Sequence, residues 1–372
     1  MIEVPQPAAV SVDPPLRVLH FVSGGFSGAT QVAIDLCGAQ TGQDTLLVLR
    51  KRASTDPAPR VEALRARGLQ VAVVPRWSHL ATIRALRRIC LDWKPDVLVA
   101  HGFSEHLWGR YAGLLAGVPR LIQVEHNTRE RYGFWRLRQS LWLAQRTERI
   151  IGVSQAVRDA LVRRGHPAER CTVIVNGIEL SRWTHGRPWA EREPAIVMPA
   201  RFAGQKDHET LIRAVALLAR QGLRPAVYLA GEGKRSWRAK AEALAQSLGM
   251  AAQVRFLGHV ADLPQLLGRV KFCVLSSHYE GLGLGLIEGM ASGCCAIGTD
   301  VEGIQEVLVD GESGFLVPHR DAQALADTLA RLLRDDALAA RVAQAGQRHA
   351  EAEFDRRRMR QQYLDLFQRP LG

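Results

Sequence analysis

The chain has only six cysteines and none of them forms a C-x-x-C pair or stands at a zinc-type spacing from histidine. Cys37, Cys90, Cys171, Cys273, Cys294 and Cys295 lie among apolar neighbours, so buried free thiols in a reducing compartment are expected. No apolar run reaches the roughly 18 residues of a spanning helix. The opening MIEVPQPAAVSVDPP lacks a basic n-region and an apolar h-region, so no signal peptide is expected and a cytoplasmic place is. Two nucleotide signatures are missing as well. No G-x-G-x-x-G follows the first apolar run, which argues against a dinucleotide dehydrogenase, and Gly233-Lys234 is followed by Arg235, which disfavours a P-loop NTPase.

Acidic residues are also in short supply. There are 49 Lys and Arg against 37 Asp and Glu, a net +12, and arginine supplies nearly all of the positive charge. That balance predicts attraction to phosphate, anionic lipid or nucleic acid without choosing among them. No helix-turn-helix, zinc-finger or RNP signature supports the last, so nucleic acid is not an expected partner.

What is present is a globular composition, 47% hydrophobic and 23% charged over 372 residues, enough for two domains. Residues 1–15 carry four prolines and read as a flexible arm. Short β-rich runs then alternate with helical patterns at 17–22, 45–50, 70–74, 96–101, 120–126, 149–154 and 172–176. Continuous apolar runs of this kind read as parallel strands buried on both faces. A polar, proline-containing linker at 181–194 interrupts the alternation, which restarts at 195–200, 226–231, 253–258, 271–277, 294–299 and 314–318. The expected fold is α/β, with two doubly wound Rossmann-like domains (16–180 and 195–350) facing a shared cleft where the carboxyl ends of their strands meet.

Three glycine or cation clusters fall at such strand ends. Gly24-Gly25 follows the first strand and precedes a helix expected near Gly28, where a ligand can approach the backbone and an anion is favoured. Arg201 and Lys206 flank the turn between the second domain's first strand and its helix, a placement suited to a diphosphate. The third cluster, SHYEGLGLGLIEGMASG over 277–293, places Glu280 on an exposed loop, a glycine-rich backbone beside it and Glu288 in the following helix. Carboxylates accept well from sugar hydroxyls, and loop N–H groups meet phosphate or sugar oxygens.

This last segment resembles the E-x7-E motif of the retaining glycosyltransferases of family 4, which have the GT-B fold. Gly24-Gly25, Glu125-His126, Asn176-Gly177-Ile178-Glu179, Arg201 with Lys206, Gly231-Glu232-Gly233, and the run from Gly303 through Glu306, Asp310, Gly311 and Gly314 to Pro318 agree in order over about 300 residues. The resemblance implies a metal-independent, retaining hexosyltransferase acting on a nucleoside-diphosphate sugar, UDP favoured over GDP, with no further cofactor. No D-x-D motif is present to carry a metal. The acceptor would be a growing glycan, free or lipid-linked, in bacterial lipopolysaccharide or exopolysaccharide assembly.

The resemblance carries His126, Arg201, Lys206 and Glu280 into the catalytic set. Arg201 and Lys206 would hold the diphosphate, Glu280 the donor sugar, Glu288 the ribose hydroxyls, and His126 the transferred sugar. Gly281, Leu282 and Gly283 would offer backbone contacts, and Gly24 and Gly25 would let the first domain approach the donor or acceptor. The family's front-face chemistry needs no protein nucleophile. Residues 351–372 would form the helix that returns to the first domain. A nucleotide-sugar epimerase of the same fold and a non-enzymatic nucleic-acid binder are the alternatives. One further segment, the arginine-rich, aromatic stretch 129–149, reads either as a helix covering the first sheet or as a peripheral contact with an anionic membrane on its cytoplasmic face.

Overall fold

The computed structural model describes residues 15–25, 28–38, 43–51, 58–102, 104–129, 132–183 and 186–369. The expected arm at 1–15 lies outside them except for Pro15. Each of the apolar runs becomes a strand: β1 (Leu16–Ser23), β2 (Gln43–Arg50), β3 (Gln70–Val74), β4 (Val97–His101), β5 (Arg120–Glu125), β6 (Arg149–Gly152), β7 (Cys171–Val173), β8 (Glu193–Pro199), β9 (Val227–Ala230), β10 (Val254–Gly258), β11 (Val270–Leu275), β12 (Cys295–Thr299) and β13 (Phe315–Val317). The helices between them are α1 (Gly28–Cys37), α2 (Ala58–Ala66), α3 (His79–Trp93), α4 (Glu105–Ala116), α5 (Phe134–Ala144), α6 (Gln155–Arg163), α7 (His208–Arg220), α8 (Arg235–Ser247), α9 (Leu263–Leu267) and α10 (Leu284–Ala291), with α11 (Ala322–Arg334), α12 (Asp336–Glu353) and α13 (Arg356–Gln368) after β13.

The strands form two sheets, a seven-stranded one of order β3-β2-β1-β4-β5-β6-β7 and a six-stranded one of order β10-β9-β8-β11-β12-β13. Their pairings are parallel, including β1 with β2 and β4, and β8 with β9 and β11. Parallel strands covered by helices on both faces need apolar side chains on both faces, and β4, β9 and β12 are buried along their whole length. Two compact units, Met1–Gln123 and Val124–Gly372, divide the chain inside β5.

Strand order reverses direction between β1 and β4 in the first sheet and between β8 and β11 in the second. At such a switch point the connections leave the sheet on opposite sides and open a crevice at the carboxyl ends of the strands. Gly24 and Gly25 follow β1 at one of these points, and Arg201, Lys206 and the glycine-rich loop follow β8 and β11 at the other.

Local signals also set the boundaries. Asp207 caps α7 by accepting from the Thr210 N–H, Asp321 caps α11 through Ala324, and Asp335 caps α12 through Leu338. The six cysteines are buried and form no disulfide, as their apolar surroundings suggest. Within the expected linker Trp183 is buried, Trp189–Glu191 is a short 3-10 turn, and β8 begins at Glu193 because its start pairs with Val270. The stretch 129–149 is not one helix. Gly133 precedes α5, which ends at Ala144, and Arg149 already belongs to β6 because the run that follows it is buried in the sheet.

After β7 the chain meets the start of α13. The Ile178 N–H donates to Phe354 O at 2.8 Å, the Arg356 N–H donates to Ile178 O at 2.9 Å, and the Arg356 guanidinium meets Glu179 Oε1 at 2.7 Å. A Cβ on Gly177 would stand 2.6 Å from Arg356 N and 2.7 Å from Arg356 Cα, so only glycine admits this approach. Gly177→Ala should therefore destabilise the chain by about 1–3 kcal/mol, the usual cost of overpacking a site that cannot yield. Urea unfolding checks it, and an unchanged midpoint would mean that this junction is free to move.

Candidate active site

The turn after β8 is held in place before any side chain acts. The Phe202 N–H donates to Glu232 O at 2.9 Å and the Lys234 N–H donates to Phe202 O at 2.9 Å, fastening the turn to the one after β9. Phe202 is buried and stacks on His208 at 4.4 Å between centroids. Arg201 is left exposed at the strand's end, while Lys206 closes a 3-10 turn and points toward β11.

The loop after β11 receives it. Lys206 Nζ lies 2.5 Å from Glu280 Oε1, and the same carboxylate oxygen accepts from Ser277 Oγ at 2.6 Å. Gln205 Nε2 donates to Tyr279 O at 2.8 Å, and the His278 N–H donates to Gln205 O at 2.8 Å. Glu280 is thus not on an exposed loop as expected from the glycines around it. It is 6% exposed, because the turn after β8 folds over it and supplies the cation that makes its burial tolerable.

The glycines serve close packing. A Cβ on Gly281 would run into the His126 carbonyl oxygen, so the backbone after β5 lies directly against the glycine loop. Thr128 Oγ1 donates to Glu280 O at 3.3 Å and Ser154 Oγ to Gly281 O at 2.6 Å, which pins two successive loop carbonyls. Gly283 adopts φ +69° at the N-cap of α10, a conformation that residues with a Cβ rarely take. Leu282 turns its side chain into the core, leaving only its backbone for a ligand, and Glu288 is half-buried inside α10.

The structure therefore gathers His126, Lys206, Glu280, Gly281 and Gly283 into one neighbourhood, with Arg201 at the end of the adjoining strand. His126 keeps a partial opening to solvent, yet protein crowds its ring and burial pushes its pKa down to about 3, so the imidazole is neutral near pH 7. Gly24 and Gly25 belong to the other unit, where the Gly24 N–H donates to Arg50 O at 2.8 Å and Arg60 Nη1 donates to Gly24 O at 3.3 Å. His101, at the end of β4, is buried against His20, with 3.0 Å between ring nitrogens.

Sequence reading assigned no role to Gln205, Thr128 or Ser154, because hydroxyl and amide residues in turns carry no periodic signal. Some motif residues prove to be structural. Glu306 accepts from the N–H groups of Gln155 and Ala156 at 2.7 Å each, satisfying the amino end of α6. Asp310 accepts from the Leu316 N–H at 2.8 Å and closes the turn before β13. Among the described residues no group of three His, Cys, Asp or Glu side chains stands where it could hold a metal.

Removing one partner of the Lys206–Glu280 pair strands the other charge in a mostly dry site, so Glu280→Ala should cost about 3 kcal/mol of stability. The double variant Lys206→Met, Glu280→Leu should recover at least about 1 kcal/mol of that loss. A double-mutant cycle by urea denaturation measures the coupling, and additive single effects would show that the pair is incidental.

Comparison with known proteins places these features in a family. A family model described as glycosyl transferases group 1 matches residues 182–349, and one described as glycosyltransferase family 4 matches residues 26–182. A glycogen synthase of Mycobacterium tuberculosis is 27% identical over 356 residues, covering 85% of this chain and 84% of that protein. The lipopolysaccharide core biosynthesis glycosyltransferase LpsE of Rhizobium meliloti is 34% identical over 173 residues, 46% of this chain and 49% of that one. The crystal structure of Anabaena HepE in complex with UDP-glucose matches with a TM-score of 0.84 and 23% identity over 94% of this chain and 99% of that chain. With both family matches laid end to end over two parallel-sheet domains, the chain belongs to the family 4 type of glycosyltransferases with the GT-B fold.

Proposed function

We propose that the protein is a retaining, metal-independent hexosyltransferase that takes its sugar from a nucleoside diphosphate, UDP favoured, and passes it to a growing glycan of the bacterial envelope. The observation that carries this reading is the clasp between Lys206 and Glu280 at the switch point of the second sheet. It sets a cation and a carboxylate side by side where a sugar diphosphate would lie across the glycine loop. The uridine nucleotide is favoured by analogy with HepE, and the envelope role by analogy with LpsE.

In this reading Arg201 and Lys206 hold the diphosphate. The lysine ammonium has three donors and can serve Glu280 and a phosphate oxygen together. As the glycosidic bond breaks, negative charge grows on the leaving phosphate, and preorganised cations there lower the barrier without moving. Glu280 turns its second oxygen, which also accepts from Gln205 Nε2 at 3.5 Å, to the sugar hydroxyls, neutral His126 offers its ring to the transferred sugar, and Glu288 receives the ribose. The acceptor attacks from the face that the phosphate leaves, and a phosphate oxygen takes its proton, which accounts for retention with no protein nucleophile.

A thermal-shift series with UDP-, GDP- and ADP-sugars tests the donor, since a ligand bound only by the folded state raises the midpoint by mass action. UDP-glucose should stabilise the wild type. Arg201→Ala should lower turnover by roughly 10²-fold or more, with the same rate in EDTA. A strict Mg²⁺ requirement, or an inverted anomer by NMR, would sink the mechanism, and release of a free rearranged sugar without acceptor would favour an epimerase.

An anionic membrane is the proposed site of the acceptor. On α5, Phe134, Trp135 and Trp142 are 66%, 74% and 46% exposed, too much apolar surface for a helix that merely covers a sheet. Arg138 lies over the Phe134 ring at 5.5 Å and Arg146 over Trp142 at 3.9 Å, so cations that an anionic surface attracts stand beside the exposed rings. No helix among the described residues is long and apolar enough to cross a membrane. Each basic residue near an anionic surface contributes about 1 kcal/mol, so Arg136→Gln with Arg138→Gln should weaken binding to phosphatidylserine vesicles roughly 30-fold at low salt. Cosedimentation equal to wild type across a salt series would leave α5 as a solvated helix face.

A further inference from the structure

At the other end of the second sheet, where β8, β11 and β12 begin, a cavity of about 570 Å³ is lined by Gly186, Arg187, Trp189, Arg192, Gly293 and Arg341, among others. Its volume falls within the range of small-molecule sites. No carboxylate lines it among the described residues. The geometry points to a second ligand site here, independent of the donor site, that takes a phosphorylated small molecule between the guanidinium groups of Arg187, Arg192 and Arg341.

Arg192 carries most of the case. A Cβ on Gly186 would collide with its Nη2, and one on Gly293 would stand 2.8 Å from the same atom, so two glycines make room for the guanidinium. Its Nε donates to Arg187 O at 2.8 Å and its Nη1 to Val270 O at 3.5 Å, both neutral acceptors. Burial lowers its pKa, the mark of a cation drawn partly out of water. Among the described residues no carboxylate pairs with it: Glu193 is turned to Arg269 at 3.7 Å, and Asp336 to Lys271 at 2.6 Å and the Trp189 indole at 3.1 Å. The carboxyl end of α10, at Ser292 and Gly293, brings at most about half a negative charge to the same place.

A half-buried arginine without a counter-charge is unfavourable unless an anion completes it. Arg187 and Arg341 are exposed and have no ion pair among the described residues, so both guanidinium groups are available beside it. Planar forks of this type match phosphate oxygens in bidentate fashion. The concave wall favours a free small molecule over a flat lipid surface. α10 spans about 12 Å, from the glycine loop at its amino end to this cavity at the other.

Calorimetric titration of the full chain with inorganic pyrophosphate at low salt reads the site without reference to activity. Wild type should show a binding class that Arg201→Ala retains and that Arg187→Gln with Arg341→Gln weakens at least tenfold. Arg84→Gln with Arg220→Gln, which removes the same charge elsewhere, should leave that class in place. Unchanged binding by the cavity variant, or equal loss in the charge control, would overturn the site. Phosphatidic acid vesicles supply the second arm: the cavity variant should cosediment as wild type does, and its selective loss from vesicles would overturn the assignment to a free molecule.

Discussion

The ion pair between Lys206 and Glu280 joins the two connections that leave the second sheet at its switch point. A carboxylate 6% exposed is costly to bury without a cation and donors of its own, and here Lys206, Ser277 and Gln205 provide them. The pair in turn holds the glycine loop where its backbone touches the residues after β5. Thr128 and Ser154 bind successive loop carbonyls, and the His126 carbonyl leaves no room for a side chain at position 281. The position of the glycine loop and the burial of the ion pair are therefore built from the same contacts.

The two ends of the second sheet carry different electrostatic arrangements. At the carboxyl ends a cation and an anion offset each other and leave polar atoms for a ligand carrying both phosphate and hydroxyl groups. At the amino ends, three arginines line a cavity that no carboxylate among the described residues lines, beside the negative end of α10. The first arrangement suits a nucleotide sugar, and the second suits a compact anion. The net charge of +12 is consistent with both and distinguishes neither, because a sum over the chain carries no position.

Much of the fold was legible because parallel strands buried on both faces leave continuous apolar runs, a signal that survives without neighbours. The helix start expected near Gly28 was legible for an equally local reason, a glycine turn directly after a strand. The stretch at 129–149 was misread in extent because arginines and aromatics suit a helix throughout, whereas burial of Ile150 and Ile151 draws its end into β6. Glu280 was misread in exposure, since a glycine-rich loop after a strand ordinarily faces water.

By itself, the sequence determined the order of strands and helices, the places where glycine and charge fall at strand ends, and a resemblance that named the family. Each of these depends on residues close together in the chain, or on their succession along it. Tertiary structure alone decided that Lys206 meets Glu280 across 74 positions, that Glu306 satisfies the amino end of α6 across 150, and that Arg192 is seated between two glycines with no ion pair among the described residues. Those outcomes follow from which strands become neighbours, and parallel pairing through crossovers sets that by packing of the whole sheet rather than by any local pattern.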